Sequence, residues 1–478
     1  MQLEEVHVQA LPQERLSSLI GPARRQRFDK AAQASRDALA GRAVVNVNST
    51  ATGGGVAEML RTLLAQARGV GIDTRWFVVN GDPSFFTITK RIHNHLYGAA
   101  GDGGLLGASE RAHYEDVLRP NAAELASVVR PRDVVLLHDP QAAGLAPHLA
   151  RVGATVVWRC HVGADTANDY VERAWAFLRP YLGDVDAYVF SRAAFAPPWA
   201  DAQRVFVIPP SIDPFAPKNQ EMEPDEVEAV LRYVGLLGGG GPPPRTGFTH
   251  ADGSPGRINR HADVLQTGPA PPADAPLVAQ VSRWDRMKDM AGVMTAFADH
   301  VVGTSEAHLL LAGPVVTGVA DDPEGAQTLE ECDAVWRDLT HGQRTRIHLA
   351  CIPMHDPDEN AIIVNAIQRH AAIVTQKSIA EGFGLTVAEA MWKSRPVVAS
   401  AVGGIVDQIT SGADGLLVDD PRDLDGFGRA IRRLLDDPPY AAQLGANART
   451  RAQAEFLGDR HLEQWAQLFA KLDEARSS

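Results

Sequence analysis

Cysteine is scarce in this chain, with only Cys160, Cys332 and Cys351 among 478 residues. They form no CxxC pair and no even-numbered set, which argues against a disulfide scaffold and a cysteine-built zinc site. Long apolar runs are also missing, since none reaches the roughly 18 residues that a membrane span needs. The opening sequence, MQLEEVHVQALPQERL, lacks the basic and apolar regions of a signal peptide. We therefore expect a cytoplasmic protein without a membrane span.

Positive charge is in deficit, because 46 Lys and Arg residues face 59 Asp and Glu residues and leave a formal net charge of −13. This balance argues against a general binder of nucleic acid or acidic membranes. An anionic ligand must then be attracted by local cations and backbone dipoles. One group of histidines and acids lacks recognisable metal-ligand spacing, and we expect no metal there: His348, His355, Asp356 and Asp358.

The length of the chain predicts two domains, since 478 residues are many for one hydrophobic core. Short apolar runs alternate with helical patterns, which is typical of parallel sheets covered by helices in an α/β architecture. Candidate strands in the first half are 44–47, 75–79, 134–137, 155–158, 187–190 and 205–208. Those in the second half are 277–281, 308–311, 346–350, 371–375, 396–399 and 415–418. Two such sets predict two doubly wound domains.

The boundary between the domains is predicted in the proline-rich run IPPSIDPFAPKN, residues 208–219. We expect the first domain to span 1–212 and the second 213–456. Residues 235–276 include GGGGPPP and PAPPADAP, and this composition predicts a flexible insertion in the second domain. Its central part, RTGFTHADGSPGRINRHADV, is more mixed and is a candidate for a small additional element.

A glycine-rich segment, STATGGGVAE, directly follows the first candidate strand. Its glycines allow close approach of the backbone to a ligand, and the helix that begins near Val56 points N–H groups there. The pattern fits neither GxGxxG nor GxxxxGK[ST], so the dinucleotide and P-loop fingerprints are not met. A tight strand-to-helix turn without a ligand is the structural alternative.

Two cations follow the first candidate strand of the second domain, in QVSRWDRMKD. Arg283 offers a planar fork of donors and Lys288 a compact ammonium. Both are suited to neutralise a diphosphate at the carboxyl edge of a sheet, where open α/β folds bind ligands. An ordinary charged loop is the alternative interpretation.

The most informative segment is EGFGLTVAEAMW, residues 381–392, which lies between two candidate strands. A glycine-bearing turn opens a helix there, and helix N-termini suit phosphates and sugar hydroxyls. Glu381 and Glu389 are natural acceptors for those hydroxyls. Thr386 and Glu389 also fit the S/T-x-x-E capping box, so a structural role for Glu389 stays open.

Polar groups suited to sugar recognition also occur in the first domain. His161 follows a candidate strand in WRCHVGAD, where it can bond a sugar hydroxyl or have a structural role. The run GDPSFFTITKRIHNHLY mixes Lys90, His93 and Asn94 with aromatic residues, as carbohydrate sites often do. A solvated helix face is the ordinary alternative for these three side chains.

Taken together, these segments resemble the retaining glycosyltransferases of family four. EGFGLTVAEA looks like that family's EX7E motif, with Glu381 and Glu389 as its acids, and VSRWDRMKD looks like its phosphate-binding segment. Within the family, STATGGGVAEML, GDPSFFTITKRIHN, WRCH and EGFGLTVAEAMWK together most resemble the trehalose glycosyltransferring synthases. The retaining trehalose phosphorylases come next. The resemblance extends from about residue 44 to the end of the chain.

The resemblance implies a GT-B fold, in which two Rossmann-like parallel-sheet domains face each other across a cleft. A final helix at about 457–475 is expected to return to the first domain. The implied activity is transfer of glucose from a nucleoside diphosphate glucose to glucose, forming trehalose with retention. The nucleotide sugar is the donor substrate, no metal or other cofactor is expected, and a homodimer stays open.

The resemblance also implies roles for individual residues. The implied catalytic residues are His161, Arg283, Lys288 and Glu381. The implied donor-binding residues are Gly54, Gly55, Arg283, Lys288, Glu381, Gly382, Phe383, Gly384, Leu385 and Glu389. The implied acceptor-binding residues are Lys90, His93, Asn94 and Asp165. VGAD follows WRCH where the family usually has an HID-type sequence, so acceptor contacts there depart from the pattern.

Other functions stay open at this point. Phosphorolysis of trehalose would use orthophosphate in place of the nucleotide, and another family-four transferase would use another acceptor. A nucleotide-sugar epimerase needs acid/base residues beside the sugar, where His161 is the one candidate. A non-catalytic sensor would retain the binding residues without turnover.

Overall fold

The computed structural model describes residues 3–12, 14–51, 55–239, 248–250, 254–316 and 324–477. The chain divides into two compact units. The first unit contains the chain up to Ser211 and again from Leu457 onward, and the second is formed between Ile212 and Phe456. Each unit is built around its own seven-stranded sheet.

The sheet of the first unit is parallel except at one edge. Its strands are β1 (Leu3–Glu5), β2 (Val44–Asn48), β3 (Thr74–Val79), β4 (Val134–His138), β5 (Thr155–Cys160), β6 (Ala187–Phe190) and β7 (Val205–Val207). Their order is β1-β3-β2-β4-β5-β6-β7, with β1 antiparallel to β3. The chain adds β3 on one side of β2 and then β4 on the other, so the topological switch point lies between β2 and β4.

Helices cover this sheet: α1 (Glu14–Leu39), α2 (Gly55–Gly69), α3 (Pro83–Leu96), α4 (Ala108–Val128), α5 (Asp139–Ala143), α6 (Ala146–Val152) and α7 (Asp169–Leu182). Strands β2, β4, β5 and β6 are buried along their whole length, which explains their near-continuous apolar runs. The core between sheet and helices includes Trp158, Phe190, Tyr114 and Phe177. The six strands predicted for this half are thus confirmed, and β1 was missed because three residues carry no periodic signal.

The second unit repeats this plan. Its strands are β8 (Phe248–Thr249), β9 (Pro255–Gly256), β10 (Asp263–Leu265), β11 (Leu277–Val281), β12 (His308–Pro314), β13 (Ile347–Ile352), β14 (Ile373–Gln376), β15 (Val397–Ser400) and β16 (Leu416–Val418). The large sheet has the order β10-β13-β12-β11-β14-β15-β16. Because β12 and β13 lie on one side of β11 and β14 on the other, the switch point is between β11 and β14.

The helices of the second unit are α8 (Pro224–Val234), α9 (Met290–His300), α10 (Gly325–Asp338), α11 (His341–Arg344), α12 (Pro357–His370), α13 (Leu385–Trp392), α14 (Ile405–Gln408), α15 (Leu424–Asp436) and α16 (Pro438–Glu455). Trp284, Phe297, Trp336 and Phe427 belong to its core. The six strands predicted for this half all occur as β11 to β16.

The glycine- and proline-rich segment 235–276 is more ordered than its composition predicts. The short strands β8 and β9 pair antiparallel, and β10 adds an antiparallel edge strand to β13. Asp263 lies opposite Cys351 and Leu265 opposite Leu349 in that pairing. The flexible part of the prediction is therefore wrong for these described strands, which fall in or at the end of the run that was the candidate for a small additional element. β10 is ordered because it obtains its backbone hydrogen bonds from the sheet. Residues 240–247 and 251–253 lie outside the described residues.

The last helix, α17 (Gly458–Ser477), belongs to the first unit and packs against α1. Arg24 of α1 forms a two-pronged ion pair with the buried carboxylate of Asp459, at 2.7 and 2.8 Å. The Arg42 guanidinium lies 2.8 Å from the carboxylate of Asp473. Bidentate arginine–carboxylate pairs fix orientation as well as distance, so they set the register of the helix pair. Among the described helices, none is long and apolar enough to cross a membrane.

The packing of α17 gives a stability prediction. Leu468 is fully buried on this helix, whereas its neighbour Gln467 is exposed. Leu468→Ala should lower the free energy of unfolding by about 2–5 kcal/mol, because it removes buried methyl groups and leaves a cavity. Gln467→Ala is the matched control and should change it little. Urea unfolding followed by circular dichroism measures both, and equal effects of the two changes would contradict the assigned packing.

Candidate functional site

The predicted cations and acids of the second unit meet at its switch point. Lys288 lies in the loop after β11 and Glu381 in the loop after β14, and neighbouring parallel strands end at the same edge of the sheet. The Lys288 Nζ atom is 2.5 Å from the Glu381 Oε2 atom. Ser378 Oγ donates a second hydrogen bond to the same oxygen, at 3.1 Å. The structure therefore brings together a predicted phosphate-binding cation and a predicted sugar-binding acid.

A buried glutamine holds these two loops together. Gln280 belongs to β11 and is fully buried. Its Nε2 donates to the Lys288 carbonyl oxygen at 2.7 Å, and its Oε1 accepts from the Lys377 amide at 2.9 Å. Sequence reasoning missed this residue, although a single amide within the apolar run LVAQV was a visible signal. One side chain thus fixes the backbone on both sides of the switch point.

The loop that contains Lys288 is further ordered by its own acids. Asp285 accepts a hydrogen bond from the Met287 amide at 2.8 Å. Asp289 caps α9 through the Gly292 amide and forms an ion pair with the buried ammonium of Lys377. Arg283 is about 38% exposed, and its guanidinium lies 3.6 Å from the Asp285 carboxylate. Arg283 therefore retains a partly solvated guanidinium beside an ordered turn.

The EGFG turn has a close-fitting backbone that excludes larger residues. Gly384 is the N-cap residue of α13, and its φ of 87° lies in the left-handed region that favours glycine. A Cβ atom on Gly403 would lie 1.7 Å from the Glu381 carbonyl oxygen, and one on Gly404 would lie 2.6 Å from the Phe383 Cα atom. The Phe383 ring is buried and packs edge-on against Phe456, with ring centroids 6.0 Å apart. Phe383 can therefore offer a ligand its backbone rather than its ring.

Glu389 lies one helical turn further along α13 and is only 4% exposed. Its Oε1 is 3.9 Å from the Lys218 Nζ atom, while its buried Oε2 has no hydrogen-bond partner among the described residues. A buried carboxylate oxygen without a partner is costly and calls for an explanation such as a bound hydroxyl. Lys218 was not predicted from the sequence, because only the fold brings the segment after the domain boundary next to α13.

The capping-box interpretation of Glu389 is wrong. Helix α13 begins at Leu385 after the cap Gly384, so Thr386 lies inside the helix. The Thr386 hydroxyl donates to the Gln376 Oε1 atom at 2.8 Å instead of accepting from a backbone amide. The first turn of α13 therefore forms no capping-box hydrogen bond with the Glu389 carboxylate in the described structure.

The C-cap residue of α13 is a buried lysine, Lys393. Lys393 Nζ donates to the Asn219 and Gln368 side chains at 2.9 and 2.8 Å. Burial lowers the pKa of Lys393 to about 7, while the nearby Glu389 charge opposes that shift. The Trp392 indole also donates to the Asn219 carbonyl oxygen at 3.1 Å. These contacts attach the segment that contains Lys218 firmly to α13.

In the first unit, the switch point is occupied by histidines. His161 follows β5 and is buried, and its Nε2 lies 3.1 Å from the His138 Nδ1 atom. Its backbone amide donates to the Asp139 Oδ1 atom at 2.7 Å. Burial, helped by the positive charge of Arg159, lowers the pKa of His161 well below its ordinary value. His161 is therefore neutral near pH 7 and does not act there as a positive charge.

The other predicted residues of the first unit lie on separate elements. Gly55 is the first residue of α2, and Gly54 lies outside the described residues. Lys90, His93 and Asn94 lie in the second half of α3, with Lys90 and Asn94 buried.

The described residues contain one group with metal-like spacing. His250 Nδ1 is 2.8 Å from an Asp358 carboxylate oxygen, and the Asp356 carboxylate lies near both. His348 does not join this group, because its ring bonds to His308 at 2.9 Å.

Asp165, predicted to contact the acceptor, forms an ion pair with Arg192.

Comparison with known proteins assigns both halves of the chain. The family model described as "Trehalose synthase, N-terminal domain" matches residues 46–197, and the model "Glycosyl transferases group 1" matches residues 266–451. A trehalose synthase of Rubrobacter xylanophilus is 35% identical over 91% of this chain and 91% of its own length. A trehalose phosphorylase of Pleurotus sajor-caju is 24% identical over 85% of this chain but only 55% of its own length.

Among solved structures, the chain is similar to a protein entitled "Trehalose-6-phosphate from E. coli bound with UDP-2-fluoro glucose". The TM-score is 0.64 at 13% sequence identity, and the match covers 90% of this chain and 99% of that chain. At this identity the likeness concerns the fold.

The geometry of the EGFG turn gives a prediction that needs no ligand. Gly403→Ala should lower the free energy of unfolding by about 1–3 kcal/mol, because the added methyl group collides with the Glu381 carbonyl. Hydrogen exchange measured by mass spectrometry should become faster in the peptide around residues 381–384. Gly342→Ala is the control, since a Cβ atom there meets nothing within 4 Å. Unchanged exchange in Gly403→Ala would show that the turn is not supported from this side.

Proposed function

We propose that this chain, which belongs to the trehalose synthase family within the group 1 glycosyl transferases, transfers glucose from a nucleoside diphosphate glucose to glucose. The product is trehalose, formed with retention at the donor carbon. The family resemblance drawn from sequence motifs is confirmed by a relative 35% identical over 91% of the chain. The GT-B fold is confirmed as well, by the two seven-stranded units and the fold match.

The observation that carries the donor assignment is the arrangement around α13. Glu389 has a buried carboxylate oxygen without a partner in the described structure, and Lys288 and Glu381 are paired one loop away. A ribose hydroxyl would satisfy the Glu389 oxygen. A diphosphate would compete with Glu381 for the Lys288 ammonium and would leave Glu381 to accept from hydroxyls of the donor sugar.

The remaining contacts of the proposal are those that the family resemblance implies. Arg283 supplies a second cation for the diphosphate, and the backbone amides of Gly382, Phe383, Gly384 and Leu385 face the donor sugar. The proposal assigns Gly54 and Gly55 to donor binding, and Gly54 lies outside the described residues. It assigns Lys90, His93, Asn94 and Asp165 to the glucose acceptor and His161 to the donor sugar.

The chemistry requires stabilisation of a leaving diphosphate. The bond between the sugar C1 and the phosphate oxygen breaks, and the acceptor hydroxyl oxygen forms the new bond to C1 on the same face. The hydroxyl proton passes to the departing phosphate oxygen, so no protein base is needed for this step. Arg283, Lys288 and the N-terminus of α13 stabilise the charge that develops on the diphosphate. Glu381 and Glu389 bind substrate and are not a glycosidase pair.

Phosphorolysis is the second candidate for this site. An orthophosphate ion would also bind Arg283 and Lys288, but it would leave the Glu389 carboxylate oxygen without a ribose partner. The phosphorylase relatives are also less similar, at 23–24% identity over 54–55% of their own length. Both observations favour the nucleotide-dependent reaction. We further propose that no metal is required and that the protein acts in the cytoplasm. Sedimentation measures whether the protein forms a homodimer.

The first functional prediction separates the two reactions. Purified protein incubated with a nucleoside diphosphate glucose and glucose should form trehalose and release the nucleoside diphosphate. Incubation with trehalose and phosphate should not yield glucose 1-phosphate. Chromatography of both mixtures, with and without a chelator, measures the products. Glucose 1-phosphate that forms only with phosphate would overturn the proposal, and loss of activity with the chelator would overturn its metal independence.

The second functional prediction concerns the diphosphate. Arg283→Ala should lower donor turnover at least ~10-fold, since a lost charge-assisted contact is worth about 1.5–3 kcal/mol. Arg286→Ala is the matched control, because Arg286 lies three residues away and pairs with Glu331 on the surface. Steady-state kinetics with varied donor should show the loss only for Arg283. Equal kinetics in the two folded variants would remove Arg283 from the site.

A further inference from the structure

Three buried polar side chains form a hydrogen-bonded chain across the switch point of the first unit. Asn46 lies on β2, His138 at the end of β4 and His161 directly after β5. Asn46 Oδ1 is 3.0 Å from His138 Nε2, and His138 Nδ1 is 3.1 Å from His161 Nε2. The two rings stack with centroids 5.4 Å apart and an angle of 8° between their planes. None of the motifs identified in the sequence contains Asn46 or His138.

The direction of these hydrogen bonds follows from the orientation of the Asn46 amide. Burial lowers the pKa of both histidines well below the ordinary value, so each ring is neutral and has one donor and one acceptor nitrogen. In the structure the Asn46 oxygen faces His138, while its Nδ2 atom is buried without a hydrogen-bond partner among the described residues. An amide oxygen only accepts, so in this orientation His138 carries its proton on Nε2 and accepts on Nδ1. His161 must then donate from Nε2, which leaves its Nδ1 with a lone pair.

The backbone beside the rings is also constrained. Asp139 has a φ of 61°, which is unfavourable for a residue other than glycine. It is held there because its carboxylate accepts from the His161 amide at 2.7 Å and its carbonyl oxygen accepts from the Trp158 indole at 3.1 Å. Strain of this kind persists where surrounding contacts over-determine it, and it concentrates at functional sites.

Further titratable groups surround the rings. Burial raises the pKa of Asp139 to about 7, with the Arg159 charge opposing that shift. The buried Arg159 guanidinium on β5 lies 3.3 Å from the His461 ring of α17, and the charges of Arg159 and His461 both lower the pKa of His161. Apart from Asp139, these surroundings disfavour an imidazolium, which keeps the hydrogen-bonded chain in one protonation state.

We propose that Asn46 and His138 are positioning residues that hold His161 in a single neutral tautomer, with its Nδ1 as a hydrogen-bond acceptor for a substrate hydroxyl. The identity of that hydroxyl, a sugar hydroxyl of the donor, rests on the proposed function. The tautomer itself follows from the hydrogen bonds among Asn46, His138 and His161. Neither Asn46 nor His138 needs to contact substrate for this role.

The first test measures the tautomer without any substrate. Protein labelled with 15N in its histidines should show His161 protonated at Nε2 and unprotonated at Nδ1 in long-range nitrogen–proton spectra. His161→Gln and His138→Gln spectra assign the signals. A His161 protonated at Nδ1, or a mixture of tautomers, would overturn the inference. This result does not depend on turnover, so failure of the proposed reaction and failure of the inference are distinguishable.

The second test changes the charge at the start of the hydrogen-bonded chain. Asn46→Asp places a carboxylate against His138 Nε2 and should raise the pKa of His138. A protonated His138 donates from Nδ1, which forces His161 to accept on Nε2 and to carry its proton on Nδ1. The turnover number should then fall about tenfold between about pH 8 and about pH 6, with little change at the higher pH.

The control for this test is Asn121→Asp, another buried asparagine-to-aspartate change in the first unit. Asn121 bonds to the backbone of Asn80 and lies outside the proposed site. Asn121→Asp should leave the shape of the pH profile as in the wild type. A wild-type pH profile in folded Asn46→Asp would overturn the inference, and if that variant does not fold, the tautomer measurement decides alone.

Discussion

The buried side chain of Gln280 connects the two loops on which the candidate donor site depends. Parallel strands bring their carboxyl ends to one edge, but the loops that follow diverge along opposite faces of the sheet. Gln280 bonds to the Lys288 carbonyl on one side and to the Lys377 amide on the other. Because the amide is fully buried, losing either partner would leave a polar group unsatisfied. The approach of Lys288 to Glu381 follows from this connection.

The first unit has a comparable arrangement at its own switch point. There the buried amide is Asn46, again on the first strand of the switch-point pair, and it bonds across to His138. In both units, an amide in a buried strand links the two strands between which the topology reverses. The Gln280 amide is tolerated at this position because both of its ends are hydrogen-bonded, and it fixes the loops above it. Asn46 bonds to His138 through its oxygen, and its buried Nδ2 atom has no hydrogen-bond partner among the described residues.

Sequence reasoning predicted the strands better than it predicted the contacts between side chains. The apolar runs identified β2 to β7 and β11 to β16, because strands buried on both faces leave a strong local signal. The edge strands β1 and β10 were missed, since each has three residues and is stabilised only by its neighbour. The capping-box interpretation of Glu389 failed for a related reason. The Thr386 hydroxyl bonds to Gln376 of β14, and that partner is visible only when the helix is placed on the sheet.

The sequence by itself determined the fold class, the two-unit division and the segments that carry chemistry, because periodicity, glycine turns and charged motifs are local properties of the chain. It identified Lys288, Glu381, Glu389 and His161 as candidates. Only the tertiary structure decided that Lys288 pairs with Glu381, that a Glu389 oxygen is buried without a partner in the described residues, and that His161 ends a hydrogen-bonded chain. These properties depend on burial and on contacts between residues far apart in sequence, which packing alone creates.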